Sequence, residues 1–187
     1  MTLILDYLKS NLLSIVAILI SLAGFALSFK NYLKSNIELK ISSYNNNNIC
    51  VGFIWINEYR LIIIDVLIEN NSSTDVNISR IRLVDDNHNY LANPISIKDM
   101  KNSNGITLIK NTHDEYIRYN ISSENIMNNC RISSYGTARG FAVFNDVDLI
   151  SSPKNFTLIV DTPYKSFNTN VIVNLCPNEF GPLQPLE

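Results

Sequence analysis

The sequence predicts an N-terminal transmembrane α-helix followed by an all-β antiparallel sandwich with immunoglobulin-like packing. Residues 12–29 carry no charge, and from residue 37 onward short runs of alternating apolar and polar residues are separated by turn-forming residues. About seven to nine such runs at regular spacing are typical of a sandwich. We therefore expect a membrane anchor with its flanks at residues 1–35, a β-sandwich at 36–175 and a Pro-containing flexible tail at 176–187.

The uncharged run is long enough to cross a bilayer. At the helical rise of about 1.5 Å per residue it covers roughly 27 Å, close to the hydrocarbon thickness of a membrane. A cleaved signal peptide and a buried helix of a soluble fold are the alternatives. A signal peptide has a shorter apolar segment behind a basic start, whereas one lysine and one aspartate precede the run here. The retained anchor is therefore favoured.

The residues that flank the apolar run suit two membrane–water interfaces. Tyr7 and Tyr32 are separated along a helix by about 37 Å, which matches aromatic belts on both sides of a bilayer core. Lysine side chains at either end can extend their charged groups toward the lipid headgroups. The predicted interface anchors are Tyr7, Lys9, Lys30, Tyr32 and Lys34.

Positive charge near the anchor predicts its orientation. Lys9 precedes the run, whereas Lys30, Lys34 and Lys40 follow it. By the positive-inside rule, the C-terminal domain stays in the cytoplasm and the short N-terminus is exported. The opposite topology has a hint in Asn-x-Ser/Thr triplets, which chance explains in so Asn-rich a chain and which matter only in a eukaryotic secretory pathway. These triplets begin at Asn70, Asn71, Asn77, Asn120 and Asn155.

Small residues form a stripe along the predicted helix. Ser14, Ala17, Ser21, Gly24 and Ser28 follow one another at steps of three or four residues, and this spacing places them on one face. Helices in lipid associate through close packing at small residues, so this small-residue stripe predicts self-association or docking to a partner's transmembrane helix. The alternative is that the serines bond to carbonyls of their own preceding turn.

The strongest strand signal lies at residues 60–69 (RLIIIDVLIE), which are apolar on both faces and therefore indicate a central strand. Residues 37–42 alternate as a half-buried strand, and the asparagines at 45–48 break it because Asn adopts turn conformations readily. The prolines of the tail predict that it does not continue a sheet. Further strands are predicted at residues 78–84, 95–97, 105–109, 116–121, 140–145, 156–161 and 170–175, and a helical turn at 123–129.

Three parts of the chain carry a resemblance to known proteins. They are the anchor with its following lysines and first strand, the central run LIIIDVLIENNSSTDVNISRIRLVD, and the closing segments RISSYGTARGFAVFND and NFTLIVDTPYKSFNTNVIV. With these the chain resembles small, uncharacterised single-pass membrane-anchored β-sandwich proteins of low-GC Gram-positive bacteria and their phages or mobile elements. The resemblance covers most of the chain and implies an anchored sandwich and no known activity.

Charge, cysteine spacing and motifs disfavour several function classes. The formal net charge is -2 at pH 7, and the basic residues are spread along the chain, which disfavours nucleic-acid binding. Cys50, Cys130 and Cys176 are odd in number and far apart, so at least one stays unpaired, and their spacing is unlike a zinc site. The sequence contains no phosphate-binding, dinucleotide-binding or nucleophile–base motif. We expect no enzymatic activity, no cofactor and no metal.

Two histidines and two acidic pairs are the remaining candidates for chemistry. His88 and His113 lie in polar, turn-rich segments, and the two acids after His113 would point to opposite faces of a strand. A solvated loop is therefore favoured over catalysis at His113. Residues 85–86 and the pair Asp146 and Asp148 could bind calcium between loops. Aspartate is common in turns for conformational reasons alone, so a turn role is favoured over calcium binding for the acidic pairs.

Trp55 and Tyr59 are the candidates for a partner contact, because aromatic residues dominate many interfaces; core packing is the alternative for them. The leading hypothesis is a non-enzymatic anchored sandwich that binds a protein partner at the membrane. The alternative is an interference factor of a phage or mobile element, of the superinfection-exclusion type, acting on an envelope protein. The other expected partners are the lipid bilayer and, through the small-residue stripe, a second copy of the chain.

Overall fold

The computed structural model of the chain describes residues 11–53, 59–93 and 106–182. The chain forms two compact units, Met1–Asn36 and Ile37–Glu187. The first contains an apolar helix, and the second is a mostly β domain whose antiparallel sheets are arranged as a sandwich. The predicted fold class, an N-terminal helix followed by an antiparallel β sandwich, is thereby confirmed, whereas the immunoglobulin-like packing stays a prediction.

Helix α1 spans Leu12–Ser35 and therefore extends about 36 Å along its axis. By length and composition its segment Leu12–Tyr32 could cross a membrane. The segment is not buried within the structure, and large apolar side chains such as Leu13 and Phe25 are mostly exposed. Phe25 and Phe29 lie one turn apart and stack with their ring centroids 6.2 Å apart.

The described part of the β domain contains thirteen strands in chain order. They are β1 (Leu39–Ser43), β2 (Ile49–Phe53), β3 (Tyr59–Asn70), β4 (Val76–Asn77), β5 (Arg80–Val84), β6 (Asn89–Leu91), β7 (Ile106–Lys110), β8 (Tyr116–Tyr119), β9 (Arg131–Ile132), β10 (Thr137–Asn145), β11 (Lys154–Asp161), β12 (Ser166–Leu175) and β13 (Phe180–Pro182). Single turns of 3₁₀ helix lie at Asn45–Asn47 and Ile126–Asn128.

Strand β3 is the centre of the first sheet, as the doubly apolar run predicts. β10 pairs along one edge of β3, with Thr137 opposite Glu69 and Asn145 opposite Leu61. β1 and β2 share the other edge, where β1 pairs with the end of β3 and β2 with its beginning. The 3₁₀ turn Asn45–Asn47 separates these two strands, at the position where the asparagines predict a break.

The second sheet has the order β12–β11–β5–β6 and faces the first across the main core. β12 joins the two sheets by parallel pairing with β2 at Asn174 and Leu175. On the other side an isolated antiparallel bridge links Ala92 to Phe144 of β10. The sheets are therefore connected along both sides. The largest fully buried side chains of the main core are Ile62, Ile64, Ile68, Ile81, Leu83, Ile132, Phe144 and Leu158.

A small third sheet, β13–β7–β8, contributes to a second core on the opposite face of β3. Leu61 and Ile63 of β3 pack there with Leu108 of β7 and Tyr119 of β8. Alternate residues of β3 thus enter different cores, because successive side chains of a strand point to opposite faces. This explains why the segment is apolar at almost every position.

The tail differs from the prediction. Phe180–Pro182 forms β13, which pairs with Leu108–Lys110 of β7. Proline is tolerated there because β13 is an edge strand and Pro182 is its last residue, so its missing N–H need not serve a central ladder. Residues 183–187 and the strand predicted at 95–97 lie outside the described residues.

One charged side chain interrupts the buried stretch of β3. Asp65 is 3% exposed and receives hydrogen bonds from Arg139 (Nη2 to Oδ2, 2.9 Å) and from Asn47 (Nδ2 to Oδ2, 2.8 Å). Asn48 is also buried: its Oδ1 accepts from the Asp65 N–H at 3.0 Å, and its Nδ2 donates to the Ile172 carbonyl of β12 at 3.1 Å. The asparagine turn therefore links the central strand to the second sheet.

We expect Asn48→Ala to lower the free energy of unfolding by about 1–3 kcal/mol, because the buried Asp65 N–H and Ile172 carbonyl both lose a partner. Asn46→Ala, at an exposed position of the same turn, is the matched control and should change the stability by less than ~0.5 kcal/mol. Urea unfolding of the full chain in detergent, followed by circular dichroism, measures both. Equal losses in the two variants would contradict the proposed link.

Candidate functional site

The small-residue stripe lies entirely on helix α1. Ser14, Ala17, Ser21, Gly24 and Ser28 are all exposed, and an added Cβ at Gly24 would meet nothing within 4 Å. The face is therefore open to close approach by another helix. Self-association through this stripe stays a prediction.

The interface anchors are described in part. Lys30 and Tyr32 lie in the last turns of α1, where Tyr32 is 65% exposed, and Lys34 lies within the same helix. Tyr7 and Lys9 precede the described residues. The assignment of these five residues to membrane interfaces stays a prediction.

The two aromatic residues predicted to contact a partner are described only in part. Trp55 lies outside the described residues, and Tyr59 begins β3 with its backbone opposite Phe53 of β2. Their role as a partner contact stays a prediction.

A polar cluster that the sequence does not reveal surrounds His88, in the turn between β5 and β6. Its Nδ1 lies 3.5 Å from Asp85 Oδ1 and its Nε2 lies 3.4 Å from Asp148 Oδ2. The ring stacks on Tyr90 at a centroid distance of 5.6 Å. Asp148 is distant in sequence, so the cluster joins the β5–β6 turn to the loop between β10 and β11.

Asp85 is the most strongly perturbed acid of this cluster. Its side chain is 6% exposed, and burial opposes its ionisation. Hydrogen bonds from Lys154 Nζ (2.5 Å) and from the N–H groups of Asn87 and His88 outweigh that burial and lower the pKa of Asp85 to about 2. Asp85 is therefore a stable carboxylate that fixes a turn, and it is unsuited to proton transfer near neutral pH.

The two acidic pairs considered for calcium do not act as pairs, because one member of each contacts His88. Asp85 and Asp148 flank one histidine, while Lys154 and two backbone N–H groups occupy the oxygens of Asp85. Among the residues that the structure describes, no group of three or more His, Cys, Asp or Glu side chains could hold a metal ion. Elsewhere, Asp161 accepts two hydrogen bonds from Arg82, at 2.7 and 2.9 Å, which together with Ser166 lower its pKa.

The three cysteines are free thiols of low nucleophilicity. Cys50 is buried in the main core, whereas Cys176 packs against the second core on the opposite face of the sheet. Burial raises the pKa of both, and it also raises the pKa of Cys130. Because the thiolate is the reactive form, none of these residues is suited to nucleophilic catalysis at neutral pH.

The outward side of the second sheet carries both apolar and polar side chains. Leu83, Leu158 and Val171 point into the main core, so their alternate neighbours point outward. The strand register aligns outward residues across the sheet, with Arg82 opposite Leu91 and Ile159 opposite Asn168. The outward face consists of Arg82, Val84, Leu91, Thr157, Ile159, Asn168, Asn170 and Ile172; we call it the outer sheet face.

Comparison with known proteins adds no family assignment. No family model matches the chain, and no curated protein is significantly similar to it.

We expect Lys154→Met to destabilise the domain by about 1 kcal/mol at pH 7, because Asp85 loses its ammonium partner. The pKa of Asp85 is lower in the folded chain than its ordinary value of 3.8, so its stabilising effect is complete above about pH 4 and is lost as the pH falls toward 2. The difference between parent and variant should therefore vanish near pH 2 in thermal unfolding.

Lys110→Met is the matched control, because it removes the same positive charge from a lysine that pairs with an exposed acid, Glu115, at 3.3 Å. A difference between parent and Lys154→Met that is as large at pH 2 as at pH 7 would instead assign the stabilisation to packing of Lys154 over the Phe156 ring.

Proposed function

We propose that this protein is a non-enzymatic, single-pass membrane-anchored β-sandwich whose domain binds a protein partner at the cytoplasmic face of the membrane. The observation that carries the proposal is the exposure of an apolar helix in a chain whose β domain has its own hydrophobic cores. A helix of this composition requires an apolar environment, and its segment Leu12–Tyr32 is not buried within the structure.

Retention of the helix as an anchor is supported by the cost of exposing it. The exposed large apolar side chains of α1 are between 45% and 87% exposed. Burial of one such side chain contributes about 1.5–3 kcal/mol, so a bilayer that covers the helix accounts for the whole set.

The cytoplasmic orientation is supported by charge and by thiol chemistry. Lys30, Lys34 and Lys40 follow the apolar run, and short basic flanks remain on the cytoplasmic side. Cys50 and Cys176 are close in the fold, since Cys176 N–H donates to the Cys50 carbonyl at 3.1 Å, but their side chains enter different cores. Free thiols of this kind are typical of a reducing compartment.

The outer sheet face is the surface that we assign to the partner. Leu91 and Ile172 are 46% and 41% exposed at its two sides; Thr157 of β11 lies between these sides, and Asn168 and Asn170 lie on β12 with Ile172. The arginines on this side of the sheet, Arg80 and Arg82, are both paired with Asp161. A surface that mixes apolar and amide side chains and whose arginines are paired suits a protein interface better than a nucleic acid or a charged small molecule.

The anchor and its orientation can be tested by proteolysis of cells that carry the chain with a C-terminal tag. We expect the chain to remain in the membrane after alkaline carbonate extraction, and the tagged domain to be protected in intact cells and digested in opened ones. Extraction by carbonate would contradict the anchor, and digestion from outside intact cells would reverse the orientation.

The partner surface can be tested with Ile172→Arg, which places an unpaired charge on the outer sheet face. In mild detergent we expect the parent chain to migrate in a complex larger than its own oligomers and the variant to lose that complex. Tyr116→Arg is the control, because Tyr116 is 72% exposed on β8 outside this face.

Co-expression of two differently tagged copies identifies the composition of that complex. A complex that contains only copies of this chain, and that Ile172→Arg leaves intact, would contradict a protein partner at the outer sheet face. It would favour self-association through the small-residue stripe, which Gly24→Leu should then disrupt.

A further inference from the structure

The end of the β domain at which β1 begins presents two exposed tyrosines on tight turns. Alternating strand directions place the end of β3, the start of β10 and the β11–β12 hairpin at this same end. Tyr135 lies in the turn before β10 and is 68% exposed, and Tyr164 lies in the β11–β12 turn and is 81% exposed. We call these two turns the tyrosine end of the domain.

Both turns are held rigidly by hydrogen bonds. The Tyr135 N–H donates to the Ser72 carbonyl at 3.1 Å, and the Gly136 N–H closes its turn on the Ser133 carbonyl at 2.9 Å. In the other turn, Thr162 Oγ1 donates to the Lys165 carbonyl at 2.8 Å. The two phenol rings are thus presented outward by fixed backbone, which lowers the entropy lost when they bind a surface.

Tyr135 occupies a backbone conformation that does not favour tyrosine. Its φ is 53°, in the left-handed region where glycine and asparagine are the ordinary residues. The adjacent glycine has a steric reason of its own, since a Cβ on Gly136 would lie 2.4 Å from Ser133 Oγ and 3.0 Å from the Ser133 carbonyl oxygen. Local geometry therefore does not select the tyrosine at position 135, and its exposed ring has no packing role that would explain it.

The chain enters the β domain at the tyrosine end. Helix α1 ends at Ser35, Ile37 already packs against the main core, and the Glu38 carbonyl accepts from the Asn71 N–H at 2.8 Å. Along the sequence, Asn36 alone stands between the last residue of the helix and a residue that the core holds.

We propose that the tyrosine end contacts the lipid headgroup layer through Tyr135 and Tyr164. This inference rests on the proposed membrane anchor. Tyrosine suits this layer because its ring is apolar and its hydroxyl is polar. Three cations of the same end are paired with acids: Lys40 with Glu69 (2.8 Å), Arg131 with Asp75 (2.7 Å) and Arg80 with Asp161 (3.6 Å). Lys165, next to Tyr164, lies over the Phe167 ring at 4.7 Å. The contact is therefore assigned to the tyrosines and not to attraction between basic residues and anionic lipid.

Tryptophan substitutions in the full chain test the contact in zwitterionic phosphatidylcholine vesicles. The reporters are Tyr135→Trp and Tyr164→Trp, and Tyr116→Trp is the exposed control on β8. Trp55 is common to all chains, so the parent supplies the baseline. We expect the added fluorescence at positions 135 and 164 to fall to roughly half when the lipid is brominated near the glycerol end of its acyl chains, and that at position 116 to be unchanged.

Flotation of the vesicles separates this inference from the anchor. Chains that float with the lipid but show equal quenching at all three positions, or none, overturn the contact and leave the anchor intact. Chains that do not float overturn both. Quenching that requires anionic lipid also overturns the assignment to the tyrosines, because it would reflect attraction of basic residues.

Tyr135→Asn is expected to change two measurements in opposite directions, raising the stability of the domain and weakening its contact with lipid. Asparagine tolerates the left-handed conformation better than tyrosine, so we expect the thermal midpoint of the domain to rise. In the Tyr164→Trp background the same substitution should reduce lipid quenching at position 164, because one of two contacts is lost. A raised midpoint with unchanged quenching would overturn the role of Tyr135.

Discussion

The β domain depends on the burial of one strand, β3, on both of its faces. Its residues Ile62 and Ile64 belong to the main core, and Leu61 and Ile63 belong to the second core, all with at most 1% exposure. A strand in this position needs a neighbour at each edge and a layer on each face, since an exposed apolar face or an open edge would promote association with other chains. The other sheet elements meet these needs: β10, β1 and β2 at the edges, and the two further sheets on the faces.

This arrangement also requires hydrogen-bond partners for β3 at the place where β1 ends and β2 begins along the same edge. Between β1 and β2 the edge of β3 lacks a strand partner at two residues, Ile64 and Asp65, and the asparagine turn lies there. Asn48 bonds to the backbone of β3 and β12 at once, and Asn47 and Arg139 satisfy the buried Asp65 carboxylate. A buried carboxylate is tolerated only when it is fully hydrogen-bonded, so the apolar strand and the polar turn depend on each other.

These two features differ in how far the sequence predicts them. The burial of β3 can be predicted because RLIIIDVLIE has apolar residues on both faces of a strand. The uncharged run at residues 12–29 predicts α1 by its length alone. β2 was not predicted, because apolar Cys50 and flexible Gly52 interrupt the alternation of Ile49 and Val51. β13 was not predicted either, because the tail's prolines disfavour strands in general while an edge position accepts one at its last residue.

The polar contacts could not be predicted for a different reason. His88 meets Asp148, and Asp65 meets Arg139, only after strands far apart in sequence have paired. Local composition marks such residues as turn formers or surface charges, and nothing in one sequence indicates which distant residue satisfies them. The asparagines at 45–48 illustrate the difference: their turn is a local property and was predicted, whereas their bonds to β3 and β12 are tertiary.

The chain enters the β domain at the edge of its most buried strand. Ile37 packs on the main core and β1 pairs directly with the end of β3, where Leu39 lies opposite Asn70. The first strand of the domain therefore covers an edge of β3 that would otherwise stay open to association with other chains.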